Sequence, residues 1–178
     1  LREIVDASNK ITAVVGFIDT DGDALYNAAG IVCDGDLLDT YHKIYLPNYG
    51  VFDEARYFKP GKTCPVYVIN DISIGVNVCE DIWYANGPIV SQCKAGAGII
   101  ININGSPFHT GKRASREKML GERAKDNGVY VAYLNMIGGQ DELVFDGGSL
   151  VVDSKGEFIA RGVQFEESLI LIDLNIDS

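Results

Sequence analysis

Three short polar clusters stand where apolar runs stop: His42-Lys43, Cys79-Glu80-Asp81 and Asn104-Gly105-Ser106. In an open α/β sheet, ligands lie outside the carboxyl ends of strands, so clusters at strand ends are where chemistry is sought. A cysteine on a tight strand-to-helix turn is held exposed, with backbone N–H groups aimed at its thiolate and at a developing oxyanion. A lysine ending a strand offers a fixed ammonium that pairs with a surface carboxylate or stabilises a buried negative charge. On position alone, however, Cys79 also reads as the last packed residue of a strand, and Glu54 as a loop carboxylate paired with Arg56.

The elements that must position these groups follow from the hydrophobic pattern. LREIVDASNK reads as the end of a helix. ITAVVGFID is a strand whose continuous apolar run predicts burial on both faces. Two further strands flank the turn at Asp34-Gly35-Asp36, and a long loop rich in aromatics and charge follows, punctuated by Pro47, Gly50, Pro60 and Gly61. VYVI and ISIGVNVC are strands, the second stopping at Cys79. IVSQCKAGA is a helix ending at Gly96 or Gly98, and GIIININGSPF is a strand running into a turn. A charged amphipathic helix then stops near Gly128, and VYVAYLNMI is a buried strand. GGQDELVFDGGS reads as a Gly-rich loop whose Asp141, Glu142 and Asp146 are solvated, SLVVDSKGEFIAR as a hairpin, and SLILIDL as a last strand. Strands alternating with helices, then extra hairpins, indicate an α/β domain with a mixed sheet.

The 178 residues suit one domain, and 47% hydrophobic content supplies a core. A formal charge of −10 argues against nucleic acid or anionic lipid as partner. No run approaches a membrane span and LREIVDASNK lacks a signal-peptide core, which predicts a soluble, cytoplasmic protein. Cys33, Cys64, Cys79 and Cys93 form no CxxC pair, so neither zinc nor a disulfide framework is expected.

YHKIYLPNYGVFDEARYFKPG at 41–61 and IGVNVCEDIW at 74–83 resemble the lysine and cysteine motifs of the nitrilase, or carbon–nitrogen hydrolase, superfamily. LPNYGVFDE, CEDIW, NGSPFHTGKR and LNMIGGQDELVFDGGS are similar, more narrowly, to the glutaminase domains of glutamine-dependent NAD⁺ synthetases, over Ile11 to Leu174. The resemblance implies an αββα sandwich with mixed sheets, here lacking its N-terminal strand and helix, with residues 1–178 forming one incomplete hydrolase domain. It implies Cys79 as nucleophile, Lys43 as the cation at the tetrahedral oxyanion, and Glu54 as a supporting glutamate that holds the lysine. It further implies Tyr49, Glu80, Ser106 and Lys112 around the α-amino and α-carboxylate groups of L-glutamine.

Taken alone, Ser106 reads equally as a turn or N-cap serine, Lys112 as a solvated helix-start base and Trp83 as core. No metal and no cofactor is expected for the glutaminase step. The family's general-base glutamate belongs to an FPEL-like motif that nothing in the sequence matches, so the 178 residues are expected to be weak or inactive alone. Nor is there an SGGxDS-type pyrophosphate motif, so a synthetase domain, in the same parent chain, is the expected partner, and homo-oligomers are implied. The alternatives are a stand-alone nitrilase-type amidase and a catalytically inactive fragment of the fold.

Overall fold

The computed structural model describes residues 1–176. A short helix, α1 (Arg2–Ala7), leads into a meander of β1 (Thr12–Asp21), β2 (Ala24–Cys33) and β3 (Asp36–His42), antiparallel in the order β1-β2-β3. The long loop holds one helical turn, α2 (Glu54–Tyr57). A second sheet then forms from β4 (Val66–Ile69), β5 (Ile72–Val78), β6 (Ile99–Asn104), β7 (Tyr130–Asn135), β10 (Leu150–Val152) and β11 (Phe158–Arg161), in the order β11-β10-β7-β6-β5-β4. Helices α3 (Pro88–Lys94) and α4 (Lys112–Asn127) connect β5 to β6 and β6 to β7, while β8 (Ile137–Gln140) and β9 (Leu143–Asp146) make a separate hairpin.

The β5-β6-β7 ladder is parallel, with Val76 opposite Ile101 and Ile101 opposite Ala132. Parallel strands are crossed by helices on one face, and here the first sheet covers the other, which is why these strands carry near-continuous apolar runs. One core lies between the second sheet and α3 and α4, built from Ile89, Ile100, Met119, Leu120, Ala124 and Val131 among others. The other lies between the sheets, where Ala29, Ile31 and Tyr41 meet Val76, Val78 and Ile103. Helix α4 buries Arg116, Met119, Leu120 and Ala124, the spacing of one helical face, and stops at Gly128, whose φ of 61° is a left-handed cap.

Three expectations are corrected. Strand β1 is not buried on both faces, nor along the whole of its inner one: Val14 and Gly16 meet the second sheet, whereas Ile18, further along the same face, is 62% exposed. The Gly-rich segment is the β8–β9 hairpin, and its Asp146 is fully buried rather than solvated, because Arg116 bonds it at 3.1 and 3.3 Å. The run Ser168–Leu174 is no strand: it has strand-like alternation but no ladder partner among the described residues, and Leu169 and Leu171 are about 85% exposed.

Burial raises the Asp146 carboxyl, but the hydrogen bonds from Arg116 and Gln164 outweigh it and hold the group below the ordinary carboxylate range. A buried ion pair broken on one side leaves an uncompensated charge, a loss of about 3–5 kcal/mol. Asp146→Asn and Arg116→Met are each expected to lower the unfolding free energy by that amount, and the double variant by less than the sum, as read from the fall in urea midpoint at unchanged slope in equilibrium unfolding.

Candidate active site

Strand β5 ends at Val78, and Cys79 opens a single 3₁₀ turn, Cys79–Ile82, with φ of +46°. A non-glycine residue in the left-handed region is strained and persists only where its surroundings fix it. Here the Asp81 carboxylate accepts the Val78 N–H at 3.1 Å, and the Trp83 N–H bonds the Glu80 carbonyl at 3.0 Å. Below the elbow, a Cβ on Gly87 would collide with the Asp81 carbonyl, so the chain closes there only through glycine.

Lys43, just past β3, is 1% exposed. Its ammonium donates to both oxygens of Glu54, at 2.7 and 2.8 Å. Lys43 is therefore no partner of a surface carboxylate, and Glu54 is no partner of Arg56, which instead pairs with Asp53 at 3.5 Å. The loop that carries Glu54 is fastened at its far end by the Gly61 N–H to the Lys43 carbonyl, at 2.8 Å. A side chain at Gly61 would strike the His42 backbone.

Two clefts meet at Cys79. One of about 720 Å³ is lined by Lys43, Glu54, Asn27, Asn104 and Asn135 as well as the cysteine. The other, about 430 Å³, brings together Cys79, Tyr49, Glu80, Ser106, Lys112 and Trp83. Within it Tyr49 donates its hydroxyl to Glu80 at 2.7 Å, and burial followed by the Glu80 bond pushes the phenol well above its ordinary range. The Lys112 ammonium lies 4.0 Å from the centre of the Trp83 ring. Its pKa is lowered, first by burial and then by Arg116 one turn along α4. Ser106 is held from behind by its N–H to Asn135 Oδ1 at 2.9 Å. All seven residues singled out in the sequence thus face one or other of two adjoining cavities.

Sequence reasoning missed the supports. Asp81, fully buried, accepts four hydrogen bonds; Asn135 links Ser106 to the Arg116–Asp146 pair through bonds of 2.9 and 3.4 Å. A carboxylate enclosed by Cys79 and the apolar Ile82 and Trp83 was the available signal for Asp81. Among the described residues no group of three or more His, Cys, Asp or Glu side chains could hold a metal ion, and no helix is long and apolar enough to cross a membrane.

The carbon–nitrogen hydrolase family model matches residues 5–178. The chain belongs to the carbon–nitrogen hydrolase family. Glutamine-dependent NAD⁺ synthetase from Thermotoga maritima is 53% identical to this hydrolase domain over 168 residues, 94% of the chain and 29% of that relative. The solved structure of glutamine-dependent NAD⁺ synthetase from Acinetobacter baumannii superposes with a TM-score of 0.88 at 36% identity, covering 92% of this chain and 31% of the other. An amidase from Nesterenkonia, alkylated by acrylamide at its active-site cysteine, superposes with a TM-score of 0.80 at 26% identity, covering 92% and 63%. The hydrolase domain therefore spans less than a third of the first synthetases it matches.

Burial pushes the Cys79 thiol up to about 11; Lys43 pulls it down, while Glu54, Glu80 and Asp81 oppose that. A raised thiol pKa means that the thiolate is scarce at neutral pH, about one part in ten thousand at pH 7. Alkylation of Cys79 by iodoacetamide, followed by peptide mass spectrometry, is expected to quicken about tenfold per pH unit and level off only near pH 11. A plateau below pH 9 would contradict this environment.

Proposed function

We propose that this domain hydrolyses the side-chain amide of L-glutamine through a Cys79 thioester and hands the ammonia to a synthetase domain of the same polypeptide, which amidates deamido-NAD⁺ using ATP. The observation that carries the substrate is the smaller cleft. It opens on Cys79 and carries one anion, Glu80, and one cation, Lys112. A zwitterionic amino acid end calls for that pair, with the Tyr49 and Ser106 hydroxyls fixing its orientation.

In this reading the Cys79 thiolate attacks the carboxamide carbon. The Lys43 ammonium, with the N–H after the cysteine, holds the oxyanion; ammonia leaves, and water hydrolyses the thioester. Glu54 pairs with the Lys43 ammonium through both oxygens and aims it. None of the nearby carboxylates suits the base, since Glu54 is engaged by Lys43, Glu80 by Tyr49 and Asp81 by four donors. The resemblance implies a general-base glutamate in an FPEL-like motif that residues 1–178 do not match, so the base is unassigned and these residues by themselves are expected to turn over weakly, by the ~10²–10⁴-fold that general acid–base catalysis supplies. The step needs no metal or cofactor. The setting is a homo-oligomer in the cytoplasm. The similarity to the Nesterenkonia amidase supports a second reading, a stand-alone amidase for simpler amides.

An electrophilic glutamine analogue such as 6-diazo-5-oxonorleucine is expected to label Cys79; a label elsewhere, with Cys79 unmodified, would sink the nucleophile. Glu80→Gln and Lys112→Met are each expected to raise KM for glutamine about 10–100-fold, the loss of one charge-assisted hydrogen bond of ~1.5–3 kcal/mol, with little effect on propionamide hydrolysis. Wild-type protein that favours propionamide over glutamine would decide for the amidase.

A further inference from the structure

Asp81 has no part in the chemistry above, yet it is wholly buried beside the elbow. Its Oδ1 accepts the backbone N–H groups of Ile44 at 3.1 Å and Tyr45 at 2.8 Å. Its Oδ2 accepts the Tyr41 hydroxyl at 2.8 Å and the Val78 N–H at 3.1 Å. Tyr41, Ile44 and Tyr45 bracket Lys43 along the chain, and Val78 immediately precedes Cys79. One carboxylate therefore ties the segment carrying the ammonium to the segment carrying the thiol, and three of its four bonds grip main chain.

We propose that Asp81 is a positioning residue: it locks the Lys43 segment onto the Cys79 elbow, so that the ammonium faces the thiol and the oxyanion site. The inference rests on the assignment of Cys79 as nucleophile. Geometry this tight matters because a displacement of about 1 Å in a reacting pair costs on the order of 10²-fold in rate. The carboxyl is pushed up to about 6, by burial against the opposing pull of its donors, so it is mostly ionised at neutral pH and accepts through both oxygens.

The direct electrostatic effect of Asp81 has the opposite sign from its positioning effect, which makes the two separable. As a bare negative charge it disfavours the thiolate, whereas Lys43 favours it. If Asp81 acted only as a charge, Asp81→Asn would speed alkylation of Cys79. If it positions Lys43, the amide, unable to accept at both ends, frees that segment, and the thiol loses its cation.

The test is made on the whole protein, by iodoacetamide labelling of Cys79 at pH 8 read by mass spectrometry and by glutamine kinetics. Asp81→Asn is expected to slow labelling at least threefold and to lower kcat at least tenfold with KM within about twofold. Tyr41→Phe, which removes one donor and no charge, should slow labelling in the same direction by less. Labelling of Asp81→Asn at the wild-type rate or faster, with the circular dichroism spectrum retained, overturns the proposal. Should Asp81→Asn fail to fold, Tyr41→Phe decides, and an unchanged labelling rate overturns it. Failure of the wild-type Cys79 to take the electrophilic glutamine analogue would instead refute the nucleophile assignment.

Discussion

An ammonium with 1% exposure cannot stand unpaired, and the burial of Lys43 is the constraint from which the site is organised. Its counter-charge, Glu54, comes from a loop that has to be folded back over β2 and β3 to deliver it. That return is written in backbone bonds: Glu54 N–H to Pro47, Phe58 N–H to Glu54, Lys59 N–H to Leu25 and Gly61 N–H to Lys43. The same return brings Tyr49, near the start of the loop, within 2.7 Å of Glu80 on the cysteine elbow. Satisfying one buried charge thus also raises a wall of the smaller cleft.

The elbow depends in turn on the layers beneath it. Val76 and Val78 face the first sheet, whereas Asn77 faces α3 and bonds Gln92 at 3.2 Å and Asn102 at 2.6 Å. Gln92 also donates to the Val76 carbonyl at 2.8 Å, and Asn104 continues the row by donating to Asn102 at 2.7 Å. Buried amides whose partners are one another fix register more strictly than apolar contact does, because a slip leaves donors and acceptors unpaired. The end of β5, and with it Cys79, is held at one height relative to α3 and β6.

Most of the strands and both long helices were legible because each carries its own periodicity and its own stop, as α4 does with Gly128. The cysteine elbow was legible through residues adjacent in sequence, and the lysine through a motif whose aromatics and Pro-Gly survive intact. What the pattern misread were features decided by partners far along the chain. Ser168–Leu174 alternates like a strand, but a ladder needs a neighbouring edge, which alternation does not report. β1 reads as doubly buried because apolar content says nothing of whether a second layer exists to cover it. Asp146 looked like loop charge because its partner Arg116 lies thirty positions earlier, on the buried face of an otherwise polar helix. Asp81 was hidden for the same reason, its donors Tyr41, Ile44 and Tyr45, at and just past the end of β3, lying 36 to 40 positions upstream.

Those sequence separations carry a consequence for how the domain comes into being. The β1-β2-β3 meander closes through local turns, whereas the contact between the β3 end and the elbow requires closure of a long intervening loop, which is entropically costly and kinetically late. In a chain that has made its hairpins but not yet stacked its sheets, the cysteine sits far from any lysine, and neither cleft has walls. The two clefts in this fold therefore depend on the stacking of the two sheets, and a chain whose sheets have not yet met carries Cys79 without Lys43 beside it.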